Sequence, residues 1–274
     1  MKKYRSLGER LRLYEEVMRL RGLGLGYKRI ARIIEERYSV RLNPSMICNW
    51  VRGRYHPLGR CNRIVEGPGL AYVIGGWLGD GSLNEDSNSY KYCIRLSCED
   101  YDFAEEWGRC LAEALGRSRP YVPRWDDNDQ RWVVRGTSVP LYGLLKSARE
   151  DPWTLTPYLE KYPAEACKGF FDAEGWVNVE RYMVVAGSTN PDNICLFEKL
   201  LRKLDIDCRR HKCRQSETLI SPRDSKLYRR NSEFIMYLAI YGEDNVLRFA
   251  EKVSFTIARK RAALMELVRK YRGY

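Results

Sequence analysis

Residues 162–176, Y-P-A-E-A-C-K-G-F-F-D-A-E-G-W, decide the fold of this chain of 274 residues. Pro163 suits the first turn of a helix, where its missing N–H costs nothing. Small and apolar residues follow it at helical spacing. We expect Gly175 to end the helix in the left-handed conformation. Glu174 then lies at the negative end of the helix dipole, where an acid is unfavourable, so the sequence predicts a functional reason for it, such as a cation.

A second segment of the same design lies earlier in the chain. Residues 67–81, G-P-G-L-A-Y-V-I-G-G-W-L-G-D-G, also begin near a proline and end on an acid followed by glycine. The acid here is Asp80, 94 residues before Glu174. Small residues recur four apart in both segments, which places each pair on one helix face. We therefore predict two helices that pack backbone to backbone and bring the two acids together. The predicted interface residues are Gly75, Gly79, Gly169 and Ala173.

The two segments carry a family resemblance. V-I-G-G-W-L-G-D-G (73–81) and C-K-G-F-F-D-A-E-G (167–175) resemble the two motifs of a single-chain LAGLIDADG homing endonuclease. Both have the third-position glycine and the terminal acid–glycine, although the first copy has Leu78-Gly79 where the second keeps Asp172-Ala173. The resemblance implies an α+β fold with two αββαββα repeats, whose antiparallel sheets form a saddle for double-stranded DNA. We assign it to residues 68–274, with repeats at 68–160 and 161–274.

The basic residues are concentrated at the N-terminus. Residues 1–66 hold 16 Lys or Arg and 6 Asp or Glu, a net of +10 out of +12 for the whole chain. Apolar periodicity predicts helices over residues 6–22, 27–38 and 44–51. Three short helices with a polar third helix resemble a helix-turn-helix, whose third helix enters the major groove. We predict such a domain over 1–53 and a basic linker over 54–67. A three-helix bundle that binds protein is the alternative.

Patterning within the two repeats predicts the remaining elements. We expect a polar loop at 82–84, then a strand from Tyr90 to about Ser97, a hairpin joining 119–125 to 130–136, and helices over 102–115 and 139–148. In the second repeat we expect strands at 176–179, 182–186, 206–212 and 234–241, and helices at 191–204, 243–253 and 257–271. The stretch 209–230 carries eight basic residues against two acidic ones, which favours a DNA-facing loop and strand.

Polar and basic residues on the third helix, the linker, the strands and the hairpin turns are the candidate DNA contacts. Asn and Arg suit adenine and guanine edges, and Arg and Lys suit phosphates. The candidates are Ser45, Asn49, Arg52, Arg54, Lys91, Arg95, Arg135, Asn178, Arg181, Arg210, Lys212, Arg214 and Arg229.

The two acids indicate a metal-dependent hydrolase. Divalent metal neutralises charge on a phosphodiester and activates water, and Mg²⁺ prefers oxygen ligands. We predict Asp80 and Glu174 as catalytic metal ligands, helped by carbonyls near Gly79 and Ala173. We expect Asp172 to be structural or to support the metal ligands from behind. The resemblance implies cleavage of both strands of a long DNA site.

One departure from the family concerns a basic residue. Active members usually carry one, often Lys, on a strand near each centre, but the corresponding strand ends read Ser97-Cys98-Glu99 and Ser188-Thr189-Asn190. Lys91, Arg95 and Lys212 are the possible substitutes. Two alternatives stay open: a non-cleaving DNA-binding regulator, as in bacterial sporulation regulators of similar arrangement, and an RNA maturase.

Composition limits the remaining classes. No run of the sequence approaches the length of a membrane span, and no signal peptide is visible. The nine cysteines lack a paired framework, which indicates reduced thiols. We expect a cytoplasmic monomer without a small-molecule cofactor.

Overall fold

Three helices at the N-terminus pack around an apolar core of their own. The computed structural model describes residues 5–86, 91–220 and 227–273. The helices are α1 (Leu7–Gly22), α2 (Tyr27–Tyr38) and α3 (Pro44–Val51). Ser6 begins α1 with a capping box, and Asn43 caps α3 through the backbone N–H of Ser45. The core of this unit is formed by Leu13, Val17, Leu20, Ile30, Ile34, Leu42, Ile47 and Trp50.

The segment 54–67, predicted as a linker, is packed against the first repeat. Cys61 is buried in the large core of the repeats, and its carbonyl accepts a hydrogen bond of 3.0 Å from Ser138 Oγ. The backbone N–H of Val65 donates to the carbonyl of Ala114 at 2.8 Å. These contacts offset the entropy that a free linker would keep. The segment is therefore a fixed connection.

The first repeat follows the predicted αββαββα order. It comprises α4 (Pro68–Asp80), β1 (Gly81–Asp86), β2 (Lys91–Cys98), α5 (Tyr101–Ala114), β3 (Arg124–Asp126), β4 (Arg131–Thr137) and α6 (Val139–Glu150). The polar loop predicted at 82–84 is wrong, because β1 pairs with β2 along its whole length and pairing outweighs weak strand propensity. The strand predicted at 119–125 is confined to β3, since Pro120 and Pro123 cannot donate to a ladder. Tyr90 lies outside the described residues.

The second repeat retraces this order with additions. A 3-10 turn (Pro152–Leu155) and α7 (Thr156–Leu159), neither of which was predicted, join the repeats. The repeat itself comprises α8 (Pro163–Glu174), β5 (Gly175–Asn178), β6 (Met183–Ser188), α9 (Pro191–Lys203), β7 (Arg209–Arg214), β8 (Thr218–Ile220), β9 (Leu227–Arg229), β10 (Phe234–Tyr241), α10 (Glu243–Lys252) and α11 (Ala258–Tyr271). The strand predicted from Ile206 begins three residues later, because the backbone N–H of Ile206 donates to the carbonyl of Leu201 at the end of α9.

The two repeats form equivalent antiparallel sheets. The strand orders are β1-β2-β4-β3 and β5-β6-β10-β7, and β8 and β9 form a separate ribbon. In each sheet, alternate residues such as Ile94, Leu96, Val184 and Ala186 belong to one continuous core shared by both repeats. We call that side of each sheet its inner face and the opposite side its outer face. The mixed α+β fold with antiparallel sheets is thus confirmed.

Candidate active site and nucleic-acid interface

Helices α4 and α8 pack backbone to backbone through their glycines. A Cβ on Gly75 would come within 2.2 Å of the carbonyl oxygen of Ala166, and one on Gly169 within 2.3 Å of that of Tyr72. At the C-terminal ends of the helices, a Cβ on Gly79 would meet the Cβ of Ala173 at 2.5 Å. The four small residues singled out in the sequence therefore lie along the contact between the two helices.

The two acids end these helices, and each is followed by the first residue of a strand. Gly175 has φ −95° and ψ 156°, and Gly81 has φ −89° and ψ 153°. The left-handed conformation expected at Gly175 is therefore wrong, since both glycines are extended. Space explains the glycine instead: a Cβ on Gly175 would lie 2.5 Å from the carbonyl oxygen of Phe171. The chain thus passes directly from each acid into a sheet.

Asp80 and Glu174 lie near each other and both resist ionisation. Burial raises the pKa of Asp80 from 3.8 to about 6. Burial, followed by the negative charge of Asp80, raises the pKa of Glu174 from 4.5 to about 7. Perturbed carboxyl groups of this kind cluster at functional sites. A bound cation would favour their ionised forms.

Two cations act on the acids, and neither was identified from the sequence. Lys260 is buried on α11, and its Nζ donates to the carbonyls of Asp172 and, at 3.2 Å, of Phe171. Its positive charge lowers the pKa of both acids, and Arg131 lowers the pKa of Asp80. Lys260 therefore occupies the negative end of α8. Because it lies in a run of charged residues on an amphipathic helix, sequence alone predicts a solvated side chain.

Of the three cations proposed as substitutes for the missing strand lysine, Arg95 and Lys212 make other contacts. Arg95 lies 3.6 Å from Asp126 and 3.2 Å from Asp129. Lys212 Nζ lies 4.0 Å from the centre of the Phe234 ring. Lys91 is exposed at the start of β2 and lines a cleft beside the segment 54–67.

Asp172 joins the two repeats. Its carboxylate accepts hydrogen bonds from the Tyr72 hydroxyl at 2.7 Å and from the backbone N–H of Thr256 at 2.9 Å. The side chain is 1% exposed. Asp172 is therefore buried in the contact between the repeats, in agreement with the structural role expected for it.

The oxygen atoms at the helix ends fit a hard divalent cation. The last four carbonyls of a helix have no partner within it, and those of Gly79 and Ala173 are among them. With two carboxylates they form an oxygen donor set of the kind that Mg²⁺ accepts when water completes its shell. Within the described parts of the chain, no group of three or more His, Cys, Asp or Glu side chains forms a metal cluster, so any such ion would depend on water and substrate oxygens.

A cleft of about 330 Å³ lies beside Glu174. It is lined by Arg149 from the first repeat and by Ser188–Asn190, the strand end where a lysine was expected. Two of its lining residues, Trp77 and Asn193, carry buried polar atoms, Nε1 and Oδ1, that lack a hydrogen-bond partner. A polar cleft with unpaired atoms can hold ordered water or a ligand oxygen.

The candidate DNA contacts of the first sheet lie on its outer face. The register pairs Arg95 with Arg135 on neighbouring strands, and both alternate with buried inner-face residues. Arg135 is exposed, whereas Arg95 is held by the aspartates of the β3–β4 turn. The two predicted contact residues therefore lie on one surface.

The candidates on β7 lie on the inner side of the second sheet, and two of them form ion pairs within the protein. Arg210 pairs with Leu238, an inner-face residue, and its guanidinium binds Glu198 of α9 at 2.9 Å. Lys212 lies two residues further along the strand and therefore on the same side. Arg214 forms an ion pair with Glu233, with an N–O distance of 3.0 Å. Since a strand exposes every second residue to one face, the outer face carries Arg209 and His211 instead. The run of basic residues at 209–230 does not show which of its members lie on the outer face of the sheet.

The remaining candidates of the second repeat lie at turns and on the separate ribbon. Asn178 ends β5 and accepts a hydrogen bond of 2.9 Å from the backbone N–H of Arg181, which is exposed in the β5–β6 turn. Arg229 is exposed on β9. Arg223 and Lys226, two members of the basic stretch, lie outside the described residues.

The third N-terminal helix presents part of its predicted polar face. Ser45, Arg52 and Arg54 are exposed, and Asn49 is half-buried. The Ser45 hydroxyl donates to the side chain of Asn43 at 2.9 Å. These residues lie on or just after α3, so the unit has an exposed, basic edge next to its last helix.

Comparisons with known proteins place a family match in the second repeat and show relatives in an archaeon. Residues 162–254 match the family model of the LAGLIDADG-like domain. The uncharacterized protein MJ0398 of Methanocaldococcus jannaschii is 29% identical over 266 residues, which cover 96% of this chain and 95% of that protein. The uncharacterized protein MJ0314 of the same organism is 33% identical over 148 residues, 50% of this chain and 55% of that protein.

Solved structures extend the similarity to both repeats. The crystal structure of I-DmoI, a homing endonuclease, in complex with DNA and Ca has a TM-score of 0.51 to this chain at 17% sequence identity. The match covers 73% of this chain and 99% of the I-DmoI chain. Part of the second repeat thus resembles the LAGLIDADG-like domain, and the two repeats together have the fold of the I-DmoI structure.

Proposed function

We propose that this protein is a monomeric, site-specific endonuclease that hydrolyses both strands of double-stranded DNA with Mg²⁺. The observation that carries this proposal is the pair of acids, Asp80 and Glu174, at adjoining helix ends. Both have a raised pKa and both are followed by strands of the two sheets. Acids in such positions cost stability, and a bound cation offsets that cost.

The proposed mechanism gives each acid the same role in its own half. Mg²⁺ would supply charge neutralisation at the phosphate and an activated water. Asp80 and Glu174, with the carbonyls of Gly79 and Ala173, would hold the ion. Glu174 also borders the cleft that Arg149 and Ser188–Asn190 line, where it would orient a water for attack on the phosphate. Two acids from two repeats match two scissile strands.

Nearby cations would take the place of the missing strand lysine. Lys260 holds the end of α8 and favours the ionised acids, as the metal-bound state requires. Arg149 reaches the cleft beside Glu174 from the other repeat, where it would attract a phosphate oxygen. The three-helix unit, which we propose is a helix-turn-helix domain, would add contacts through α3 and raise affinity through linkage.

Cleavage of a random-insert duplex library tests the proposal. We expect cuts at one long sequence in Mg²⁺ and none in EDTA. Asp80→Asn and Glu174→Gln should each abolish cleavage of one or both strands while leaving duplex affinity within about threefold of wild type. If either variant lost duplex affinity as strongly as it lost cleavage, the acids would be structural.

A non-cleaving DNA-binding regulator is the second candidate. It is favoured by the absence of lysine at Ser97-Cys98-Glu99 and Ser188-Thr189-Asn190. The same library separates the two functions, because a regulator retains bound, uncut duplex in both Mg²⁺ and EDTA. That outcome would replace the endonuclease by the regulator.

A further inference from the structure

The outer face of the first sheet carries a polar row directly beside the acids. Ser82 is the second residue after Asp80, and the register pairs it with Arg95, which pairs in turn with Arg135. We call these three residues the arginine row. Arg135 is exposed, so its guanidinium is available to a ligand lying on this face.

The second sheet has an apolar row at the equivalent place. Trp176 is the second residue after Glu174, and it pairs with Val185, which pairs in turn with Ala239. We call these three residues the apolar row. Each lies on the strand that corresponds to its counterpart in the arginine row, at the same register from the acid. The two halves therefore offer opposite chemistry at equivalent positions.

The apolar row continues outward into aromatic surface. The rings of Trp176 and Tyr237 meet edge to face, with centroids 5.7 Å apart. Tyr237 also lies against Gly187, where a Cβ would come within 2.9 Å of the ring. Trp176 is 40% exposed although Val185 and Ala239 beneath the same face are nearly inaccessible. This surface therefore ends in a partly fixed aromatic side chain.

DNA bases offer a matching pair of chemistries in the major groove, which admits β-strands. Guanine presents two acceptors that suit an arginine, whereas the C5 methyl of thymine is the apolar group on a base edge. Resting on the DNA binding proposed above, we propose that the two halves read different bases. The arginine row selects guanine, and the apolar row, through Trp176, selects thymine by its methyl group.

The first experiment selects bound duplexes from a random pool in Ca²⁺ or EDTA, so that cleavage is not required. We expect an asymmetric consensus, with guanine favoured in one half and thymine favoured in the other. Arg135→Ala should remove the guanine preference and thereby identify the half read by the first repeat. A consensus with the same base preference in both halves would overturn the inference.

The second experiment replaces thymine by deoxyuridine, which removes only the methyl group. In the half read by the second repeat, wild type should lose affinity about fourfold for each methyl in contact, from about 0.8 kcal/mol per buried CH₂. Trp176→Ala should bind thymine and deoxyuridine duplexes within twofold of each other. The matched control is Trp125→Ala, because Trp125 is 42% exposed but lies on the inner side of its sheet, beside Trp132, and it should keep the fourfold loss.

The outcomes separate this inference from the function on which it depends. Bound duplex with equal deoxyuridine effects in both halves, or with an unchanged effect in Trp176→Ala, overturns the thymine readout alone. Failure of wild type to retain any duplex overturns both the readout and DNA binding.

Discussion

At the scale of single residues, ionisation of the two acids destabilises the folded protein. Their raised pKa values mean that the folded protein binds more protons than the unfolded chain between about pH 4 and 7. Stability therefore falls as pH rises through this window. Metal binding must displace the same protons, so its affinity should rise over the same range.

Replacing one acid should stabilise the metal-free protein. We expect Asp80→Asn to raise the free energy of unfolding by about 3 kcal/mol at pH 8 in EDTA, because the cost of ionising a buried carboxyl is removed. The advantage should vanish near pH 4, where Asp80 is protonated in the folded state. Denaturant unfolding at both values checks this.

The control for that measurement is Asp172→Asn. Burial also raises the pKa of Asp172, but Asp172 accepts hydrogen bonds from Tyr72 and from the backbone of Thr256, so its replacement should stabilise the protein at pH 8 by less than Asp80→Asn does. If both variants lose stability, Asp80 is a structural acid.

Lys260 should set the pH dependence of cleavage. Its charge lowers the pKa of Asp80 and Glu174, so Lys260→Met should move the acid limb of the cleavage profile to higher pH. It should also lower stability, since two carbonyls lose a charged donor. Lys212→Met, which removes an ammonium from the Phe234 ring, should leave the limb in place. An unmoved limb in Lys260→Met would assign the lysine to packing alone.

At the scale of elements, the contact of α4 with α8 positions the rest of the repeats. Its existence was predictable because small residues four apart mark a close helix contact in any sequence. The position of Lys260 was not predictable, because α11 reaches the end of α8 only through tertiary packing. The face presented by β7 was also not predictable, since a register shift of one residue reverses every side chain.

The helix contact leaves no room for a methyl group. We expect Gly75→Ala to destabilise the protein by more than about 3 kcal/mol, because the backbone carbonyl of Ala166 cannot move aside. Gly143→Ala in α6 is the matched control: nothing lies within 4 Å of its Cβ. Alanine favours helix, so this variant should gain up to about 1 kcal/mol. Thermal or denaturant unfolding of the two variants measures both changes. A Gly75→Ala variant as stable as wild type would contradict the close contact of the two helices.

At the scale of the whole molecule, the sequence shows directly that the basic residues are concentrated in the N-terminal unit. It does not show how that unit is attached to the first repeat. Burial of Cys61 and the hydrogen bond from Ser138 join segment 54–67 to the first repeat. This packing could not be predicted from the sequence, because a glycine- and proline-rich basic stretch is typical of a linker. No described helix combines the length and apolarity that crossing a bilayer requires.

The N-terminal unit should contribute to the salt dependence of DNA binding. We expect the double variant Arg52→Ala and Arg54→Ala to reduce the slope of log affinity against log salt by about 1 to 2, one unit for each phosphate that the variant no longer neutralises. Arg19→Ala is the control, because Arg19 is paired with Glu16 on α1 at 2.7 Å. A slope equal to wild type in the double variant would show that these residues do not meet phosphate.

The difference between the arginine row and the apolar row has a consequence for the history of the gene. A symmetric dimer of one repeat is restricted to palindromes, because both copies read the same bases. Joining two copies in one chain keeps the glycine contact of α4 with α8 under common constraint, while each sheet diverges separately. Under the proposed readout, such a protein would recognise DNA that is not palindromic, and it would acquire a new target by changing one half at a time.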